Sequence, residues 1–475
     1  MTSTRVHAFG DDALGDHDAV ALADLIRRGE LGVHEVTDAA IARAGQVTEL
    51  NAVVADRYGD PAIGADPDAP LFGVPTFVKD NTDVTGLPTN NGTSAYRAKP
   101  AGADGPYAQQ FLSTGLTMLG KSALPEYRFN ASTEFADREP ARNPWHTEYS
   151  VGASSGGAAA LVAAGVVPIA HANDGGGSIR IPAACAGLVG LKPTRGRHID
   201  GPGARMMPIN VISEGVLTRS VRDSAAFLAA QEQFWRNPRL PAIGTVDRPI
   251  ARRLRIGLLT EGLAGRTVCP ETRAAVEGSA ALLAAEGHFV ETAVLPLREE
   301  FGQAFVQYWS MLAFLAASTG KLTDRAYDRR KLDGFTLGLR GQFMRNAWYT
   351  PKAFYDMRVG ARAYVGLFGR YDLVLSPVLG HTTPRLGHLS PTVPFDELLE
   401  RLLAYVCFTP VNNVAGTPAI SLPLGKTADG LPIGVQLAAA PGDERTLLEM
   451  ALLLEELRPW RSARSDDELP RSVSR

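Results

Sequence analysis

Three residues, Lys79, Ser154 and Ser178, have the types and the surroundings that hydrolytic chemistry needs. Ser178 follows three glycines, whose low bulk lets successive backbone N–H groups converge on one oxygen. Lys79 closes an apolar run, and a lysine buried without a carboxylate partner loses its proton readily because desolvation disfavours the ammonium. A hydroxyl nucleophile, donors for an oxyanion and a neutral amine as base are what cleavage of an amide requires.

Both serines lie in a long segment of small residues that runs from 152 to 196. Its informative parts are Gly152-Ala-Ser-Ser-Gly-Gly157, Asn173-Asp-Gly-Gly-Gly-Ser-Ile-Arg-Ile-Pro182 and Gly190-Leu-Lys-Pro-Thr194. This segment resembles the serine- and glycine-rich motif of the amidase signature enzymes. The resemblance continues at Gly73-Val-Pro75, Lys79-Asp80, Asn143-Pro144, Thr417–Pro423 and Leu431–Gln436. It covers residues 20–455, and the lysine and the two serines are spaced 75 and 24 residues apart, as in that family.

The resemblance implies a Ser–cis-Ser–Lys triad. Ser178 would be the nucleophile, Ser154 the proton relay and Lys79 the base, with a cis peptide bond between Ala153 and Ser154. The implied activity is hydrolysis of a linear or cyclic carboxylic amide, through a serine acyl-enzyme, to the acid and ammonia or an amine. No metal and no organic cofactor is expected.

The same resemblance assigns roles to the residues around the nucleophile. The expected oxyanion hole consists of backbone amides, those of Gly175, Gly176, Gly177 and Ser178. Asp174 and Arg180 flank this loop and are expected to brace it, and Ser155 is expected to support the relay serine. Two positions depart from the family pattern, Ala153 in place of Gly and Asn173 in place of Thr. Neither departure removes a reacting group.

The elements that position these residues alternate between strands and helices. A buried strand is predicted to end at Lys79, and the segment from 152 reads as a turn, a helix at Gly157–Ala164, a strand at Val166–Ala170 and a glycine loop. Further strands are predicted at 254–260, 373–379, 418–424 and 431–438. This order predicts an α/β fold, with a mixed, mainly parallel twisted sheet covered by helices on both faces.

We expect one domain over residues 1–460, followed by a tail at 461–475. Within the domain, the signature core lies at about 70–200 and a variable, mainly helical substrate region at about 230–410. Five aromatic residues of that region are candidate walls of a substrate pocket: Phe305, Tyr308, Trp309, Trp348 and Tyr349.

Two other sequence motifs suggest different functions. Gly115–Ser122 fits the phosphate-binding P-loop pattern, but a helix is predicted at Tyr107–Leu119, where that motif needs a strand. Gly152–Gly156 fits the nucleophile elbow of α/β-hydrolases, which would make Ser154 the nucleophile of an esterase. That alternative needs a preceding strand, whereas 142–149 reads as a loop, and a histidine such as His381 or His388.

The composition of the chain limits the classes of binding partner that can be expected. The chain has 475 residues and a formal net charge of −3, which excludes a generally polycationic nucleic-acid binder. No stretch reaches the length of a membrane span, no signal peptide is evident, and three scattered cysteines predict neither disulfides nor a zinc site. We expect a cytoplasmic enzyme that acts on small molecules, and the family resemblance suggests a homodimer.

Alternatives within and beyond this reading stay open. The triad would also fit the glutamine-hydrolysing subunit of a tRNA-dependent amidotransferase, which the basic segment 321–370 mildly favours. A non-catalytic binding protein on the same fold is a further alternative. The loop at 173–178 and Thr194–Arg197 also resemble hydrolases of 6-aminohexanoate cyclic dimer, too weakly to fix a substrate.

Overall fold

The structure is a computed structural model that describes residues 4–460 and 462–464. Its strands are β1 (Val53–Asp56), β2 (Pro75–Lys79), β3 (Thr117–Ser122), β4 (Arg142–Asn143), β5 (His146–Ser150), β6 (Ile169–Asp174), β7 (Val189–Lys192), β8 (Ser213–Thr218), β9 (Arg255–Leu258), β10 (Phe289–Thr292), β11 (Leu373–Pro377), β12 (Ala419–Lys426) and β13 (Pro432–Ala439). Its helices are α1 (Ala19–Arg27), α2 (Val33–Gln46), α3 (Pro106–Leu112), α4 (Gly156–Ala163), α5 (Arg180–Ala186), α6 (Pro202–Arg205), α7 (Val221–Phe234), α8 (Pro270–Ala285), α9 (Glu299–Thr323), α10 (Gly334–Asn346), α11 (Thr350–Gly366), α12 (Phe395–Tyr405), α13 (Pro410–Ala415) and α14 (Glu444–Leu457). Most of the predicted tail lies outside the described residues.

An eight-stranded mixed sheet forms the centre, in the order β10-β9-β11-β13-β12-β7-β8-β6. The predicted α/β fold with a mixed sheet is confirmed, but the expectation that the sheet is mainly parallel is wrong. Within this eight-stranded sheet only β9 pairs in parallel, with β10 and β11, and the other five pairings are antiparallel. Part of the reason is local: the tight turn between β12 and β13 contains Gly430 at φ +83°, and two strands joined by a short turn must run in opposite directions.

Helices cover both faces of this sheet, as predicted. A Cβ at Gly434 of β13 would lie 2.4 Å from Ala184 of α5, so that helix packs closely on one face. Val435 and Leu437 project to the opposite face because side chains alternate along a strand, and they join the core cluster that includes Val276 of α8. Helix α5, which begins at Arg180, is therefore packed directly on the central sheet.

A separate three-stranded sheet, β1-β3-β2, carries Lys79. Here the predicted helix at Tyr107–Leu119 is wrong beyond its first half, because α3 ends at Leu112 and β3 runs from Thr117 to Ser122. Most of the residues that fit the P-loop pattern therefore form the buried strand β3. Gly120 is required by a close approach, since a Cβ there would lie 2.4 Å from the carbonyl oxygen of Ala55 in β1.

The segment that holds both serines follows the predicted order of turn, helix, strand and glycine loop. Helix α4 begins one residue earlier than predicted, and β6 continues to Asp174 instead of ending at Ala170. No helix among the described residues is long and apolar enough to cross a membrane. The division into a signature core, a helical substrate region and a tail stays a prediction.

Candidate active site

Lys79 lies at the end of β2 and is fully buried. Its Nζ is 2.7 Å from Ser154 Oγ and 2.8 Å from Ser155 Oγ, and it donates to Asn173 Oδ1 at 2.6 Å. Within the described residues no carboxylate forms an ion pair with this amine. Burial, together with the nearby charge of Arg128, holds the pKa of Lys79 well below its ordinary value. The environment therefore favours the neutral amine.

The backbone of Lys79 is fixed by a second buried group. Its N–H donates to His171 Nδ1 at 3.1 Å, and His171 Nε2 lies 3.1 Å from Glu214 Oε2. Because Nδ1 accepts, Nε2 carries the proton and donates to the carboxylate. Burial lowers the pKa of His171. Sequence reasoning missed this pair, since an isolated histidine and an isolated glutamate give no motif.

Ser154 and Ser155 occupy the turn before α4, and both are buried. The peptide bond between Ala153 and Ser154 is cis, as predicted. A Cβ at Gly157 would lie 2.3 Å from the backbone nitrogen of Ala123, so the turn packs directly against the end of the small sheet. Ser155 Oγ donates to the carbonyl oxygen of Ser178 at 2.6 Å and so links the lysine to the glycine loop.

Asp174 and Arg180 form an ion pair across the glycine loop, with Arg180 Nε 3.0 Å from Asp174 Oδ2 and both side chains fully buried. Burial alone would raise the pKa of Asp174, but the charge of Arg180 outweighs it and holds that pKa below the usual range. The carboxylate also accepts from the amides of Gly177 and Ile179 at 2.6 Å and 3.1 Å. The pair therefore fixes the backbone on either side of Ser178, which is the bracing that was predicted.

Three distant amide side chains complete this network, and sequence reasoning missed all of them. Arg180 donates to Asn412 Oδ1 at 2.9 Å, to Asn413 Oδ1 at 2.7 Å and to Gln436 Oε1 at 2.8 Å. Asn413 Nδ2 donates in turn to Asp174 Oδ1 at 2.8 Å. More than 230 residues separate Arg180 from each of these side chains, so no local spacing could reveal them.

The predicted oxyanion hole needs one correction. The amide of Gly177 donates to Asp174 Oδ1, so it is already engaged in bracing the loop. In the described part of the chain, the amides of Gly175, Gly176 and Ser178 have no hydrogen-bond acceptor. The loop is further held from the far side, where Thr409 Oγ1 donates to the carbonyl oxygen of Gly176 at 2.6 Å.

A cavity of about 710 Å³ opens over the loop, and Ser154, Gly175, Gly176 and Ser178 lie in its wall. The apolar part of the lining comes largely from the helical region. Of the five predicted aromatic walls, four line the cavity: Phe305, Trp309, Trp348 and Tyr349. The prediction is wrong for Tyr308, which is buried in the helical core and donates to the carbonyl oxygen of Ile209.

The structure does not bring together the residues that a nucleophile elbow at Ser154 would need. The predicted loop at 142–149 is wrong, because β4 and β5 form a short hairpin there and a strand does precede Ser154. This strand belongs to a separate two-stranded sheet and not to the central sheet. The two candidate histidines are absent from the cavity lining. Their rings contact each other edge to face, with centroids 5.9 Å apart, and His381 packs on Tyr405 at 4.5 Å. The described residues also contain no cluster of side chains that could hold a metal ion.

Comparison with known proteins decides the family. The family model described as Amidase matches residues 25–448. The chain belongs to the amidase signature family. It is accordingly a hydrolase of carbon–nitrogen amide bonds.

The relatives of this amidase extend over nearly its whole length. It is 49% identical over 464 residues to the protein of Mycobacterium tuberculosis that is named "Putative amidase AmiC", covering 96% of this chain and 98% of that one. It is 36% identical over 483 residues to the 6-aminohexanoate-cyclic-dimer hydrolase of Paenarthrobacter ureafaciens, covering 93% and 95%. The solved structure of a 6-aminohexanoate cyclic dimer hydrolase complexed with substrate has a TM-score of 0.81 at 31% identity, covering 95% of this chain and 98% of that one.

Proposed function

We propose that this amidase cleaves its substrate through a serine acyl-enzyme, with Ser178 as nucleophile, Ser154 as proton relay and Lys79 as base. The observation that carries the proposal is the fully buried Lys79 amine, which contacts only uncharged oxygens, two of them from Ser154 and Ser155. A neutral amine has two N–H groups and one lone pair. The N–H groups serve Ser155 Oγ and Asn173 Oδ1, which leaves the lone pair for the hydroxyl proton of Ser154.

The proton path follows from this assignment. Ser178 Oγ attacks the amide carbon and gives its proton to Ser154 Oγ, whose own proton passes to Lys79 Nζ. The negative charge that develops on the amide oxygen is stabilised by the amides of Gly175, Gly176 and Ser178. When the carbon–nitrogen bond breaks, the proton returns along the same path to the departing nitrogen. Water then attacks the acyl-enzyme, using the same base, and releases the acid.

The substrate class follows from the cavity. Its walls are mostly apolar, with Phe305, Trp309 and Leu312 among them, and its volume of about 710 Å³ suits a small organic amide. A close relative acts on 6-aminohexanoate cyclic dimer, so we infer that both linear and cyclic amides with apolar chains are suitable substrates. The reaction steps proposed here require neither a metal nor an organic cofactor.

The test is a panel of aliphatic, aryl and cyclic amides, scored by release of acid and of ammonia or amine, with the wild type and Ser178→Ala. The proposal predicts that the wild type hydrolyses members of the panel and that the variant loses this activity while its melting temperature is retained. Equal activity of the two proteins would contradict the assignment of the nucleophile. Glutamine hydrolysis that appears only with added partner subunits would favour the amidotransferase alternative instead.

A further inference from the structure

Arg128 lines the substrate cavity together with Ser154 and Ser178, and no part of the proposed proton path uses it. It is the last residue of the one-turn segment Glu126–Arg128, which follows β3. Both Tyr127 and Arg128 have left-handed backbone conformations, with φ of +46° and +69°. Non-glycine residues rarely adopt this conformation, and surrounding structure must hold them there.

The loop that carries Arg128 is held on several sides. The N–H of Tyr127 donates to the carbonyl oxygen of Asn91 at 2.9 Å, and that of Arg128 to the carbonyl oxygen of Pro125 at 2.8 Å. The buried Glu126 accepts from Thr93 Oγ1 at 2.7 Å. It also accepts from the N–H of Asp333, the cap of α10, at 2.9 Å. These contacts hold the backbone that carries Arg128 in place beside the cavity.

Few neighbouring groups offset the positive charge of the Arg128 guanidinium. Within the described residues its side chain has one hydrogen-bond partner, Asn91 Oδ1 at 2.8 Å, and no ion pair. The two carboxylates whose charge acts on Arg128 have other partners, since Glu214 bonds to His171 and Asp80 lies 3.7 Å from Lys121. Arginine has five N–H donors and stays charged at neutral pH. Most of its donors are therefore available to a bound molecule.

The other charged groups of the cavity lining differ from Arg128. Arg266 is paired with Glu400 at 2.8 Å, and Glu299 is exposed to solvent at the start of α9. With Lys79 neutral, Arg128 is the unpaired cation beside the candidate serines in the part of the chain that the structure describes. A partly buried cation without a carboxylate attracts an anion, most strongly one that can accept two parallel N–H bonds.

We propose that Arg128 is a specificity-determining residue, which binds a carboxylate of the substrate that is distinct from the amide being cleaved. The inference rests on the proposed function and adds a substrate class to it: amides whose apolar chain ends in a carboxylate, such as monoamides of dicarboxylic acids. The apolar walls accommodate the chain, and the guanidinium fork binds its charged end.

The kinetic test compares three amides of equal chain length: a dicarboxylic acid monoamide, the neutral alkanamide and the ω-amino amide, over several chain lengths. We expect the wild type to prefer the monoamide. Arg128→Met should lower the ratio of kcat/KM for the monoamide to that for the alkanamide by about 10–100-fold, mainly through KM. Arg128→Lys should retain part of the preference, because it keeps the charge and loses the planar fork.

Arg266→Gln is the matched control, since this arginine borders the same cavity but is neutralised by Glu400, and its specificity ratio should follow the wild type. A ratio that is the same in the wild type and Arg128→Met would overturn the proposal. An equal loss on both amides, with a shifted pH profile, would also overturn it, because Arg128 would then act through Lys79.

A binding arm separates this inference from the proposed function. Titration calorimetry of the monoamide against Ser178→Ala and against Ser178→Ala with Arg128→Met requires no hydrolysis. Tighter binding to the first protein supports the carboxylate site even if the panel of amides is not turned over. Equal binding to both proteins contradicts the site even if the amidase reaction is confirmed.

Discussion

Two buried basic residues, Lys79 and Arg180, lie beside the glycine loop and have different partners. Arg180 bonds to a carboxylate and to three amide oxygens, and all of its partners are fixed in the core. Lys79 bonds to hydroxyl and amide oxygens and to no carboxylate in the described chain. The difference shows that burial alone does not define a role: a paired cation fixes the backbone, whereas an unpaired lysine gives up its proton.

The largest predicted effect concerns Lys79 and activity. Lys79→Met keeps most of the side-chain volume and removes the amine, so kcat/KM should fall by about 10²–10⁴-fold, the usual contribution of a general base. Steady-state hydrolysis of a panel amide measures this loss, and urea unfolding shows whether the variant still folds. Retention of activity within a small factor would exclude Lys79 as the base.

The next effect concerns the paired cation and stability. Asp174→Asn leaves Arg180 buried without its counter-charge, which should cost about 3–5 kcal/mol in the free energy of unfolding. Asp24→Asn is the matched control, because Asp24 pairs with Arg27 on the surface and its loss should cost less than about 1 kcal/mol. Urea unfolding of both variants measures the contrast. Similar costs for the two substitutions would refute the bracing role of Asp174.

A smaller effect is a pH dependence whose sign follows from the depressed pKa of Lys79. In the unfolded chain this lysine binds a proton below its ordinary pKa of 10.5, whereas the folded protein keeps the amine neutral to a lower pH. The wild type should therefore lose stability relative to Lys79→Met as the pH falls below 10.5. The loss is about 1.4 kcal/mol per pH unit and ends at the folded pKa.

Unfolding of both proteins across alkaline and neutral pH measures this difference. A stability difference that does not change with pH would mean that Lys79 stays charged in the folded protein. Activity supplies an independent check, since the neutral amine is the active form and the rate should rise with pH through the depressed pKa of Lys79.

The smallest effect on activity is expected at a third buried basic residue, Lys192, at the end of β7. Burial lowers its pKa to about 7, and Nζ donates to the carbonyl oxygen of Pro193 at 2.7 Å and to Ser213 Oγ at 3.2 Å. Neither lysine lines the cavity, but Lys79 contacts Ser154, which does, whereas the two partners of Lys192 do not line it. The amine of Lys192 therefore has no contact that leads to a substrate. Lys192→Met should leave kcat/KM much closer to the wild type than Lys79→Met does, as steady-state hydrolysis of a panel amide measures. Equal rate losses in the two variants would contradict the distinction.

The part of the site that could be predicted from sequence is the part that lies in one motif. Ser154, Ser178, Asp174 and Arg180 fall within 27 consecutive residues, and Lys79 ends a strand whose apolar run is visible. Their packing around one loop follows from that pattern and from the family resemblance. The engagement of the Gly177 amide did not follow, because a glycine run shows which amides are available only once its neighbours are placed.

The remainder depends on long-range contacts that leave no local pattern. Arg180 is bonded by three side chains from a distant part of the chain, Asn412, Asn413 and Gln436. Arg128 lies on a loop with a left-handed backbone, and no sequence pattern predicts that conformation for Tyr127 and Arg128. The prediction of a mainly parallel sheet was wrong for a related reason. Alternating strands and helices favour parallel pairing, but the central sheet has five antiparallel pairs and two parallel ones. The hairpin of β12 and β13 accounts for one of the antiparallel pairs.

The most direct test of the central claim is to label the protein with a serine-directed fluorophosphonate and locate the adduct by fragmentation mass spectrometry. Fragmentation is necessary because no lysine or arginine lies between Arg142 and Arg180, so trypsin leaves both serines on one peptide. We predict an adduct on Ser178 that is absent from Lys79→Met. An adduct on Ser154, or equal labelling of the wild type and Lys79→Met, would contradict the proposed triad.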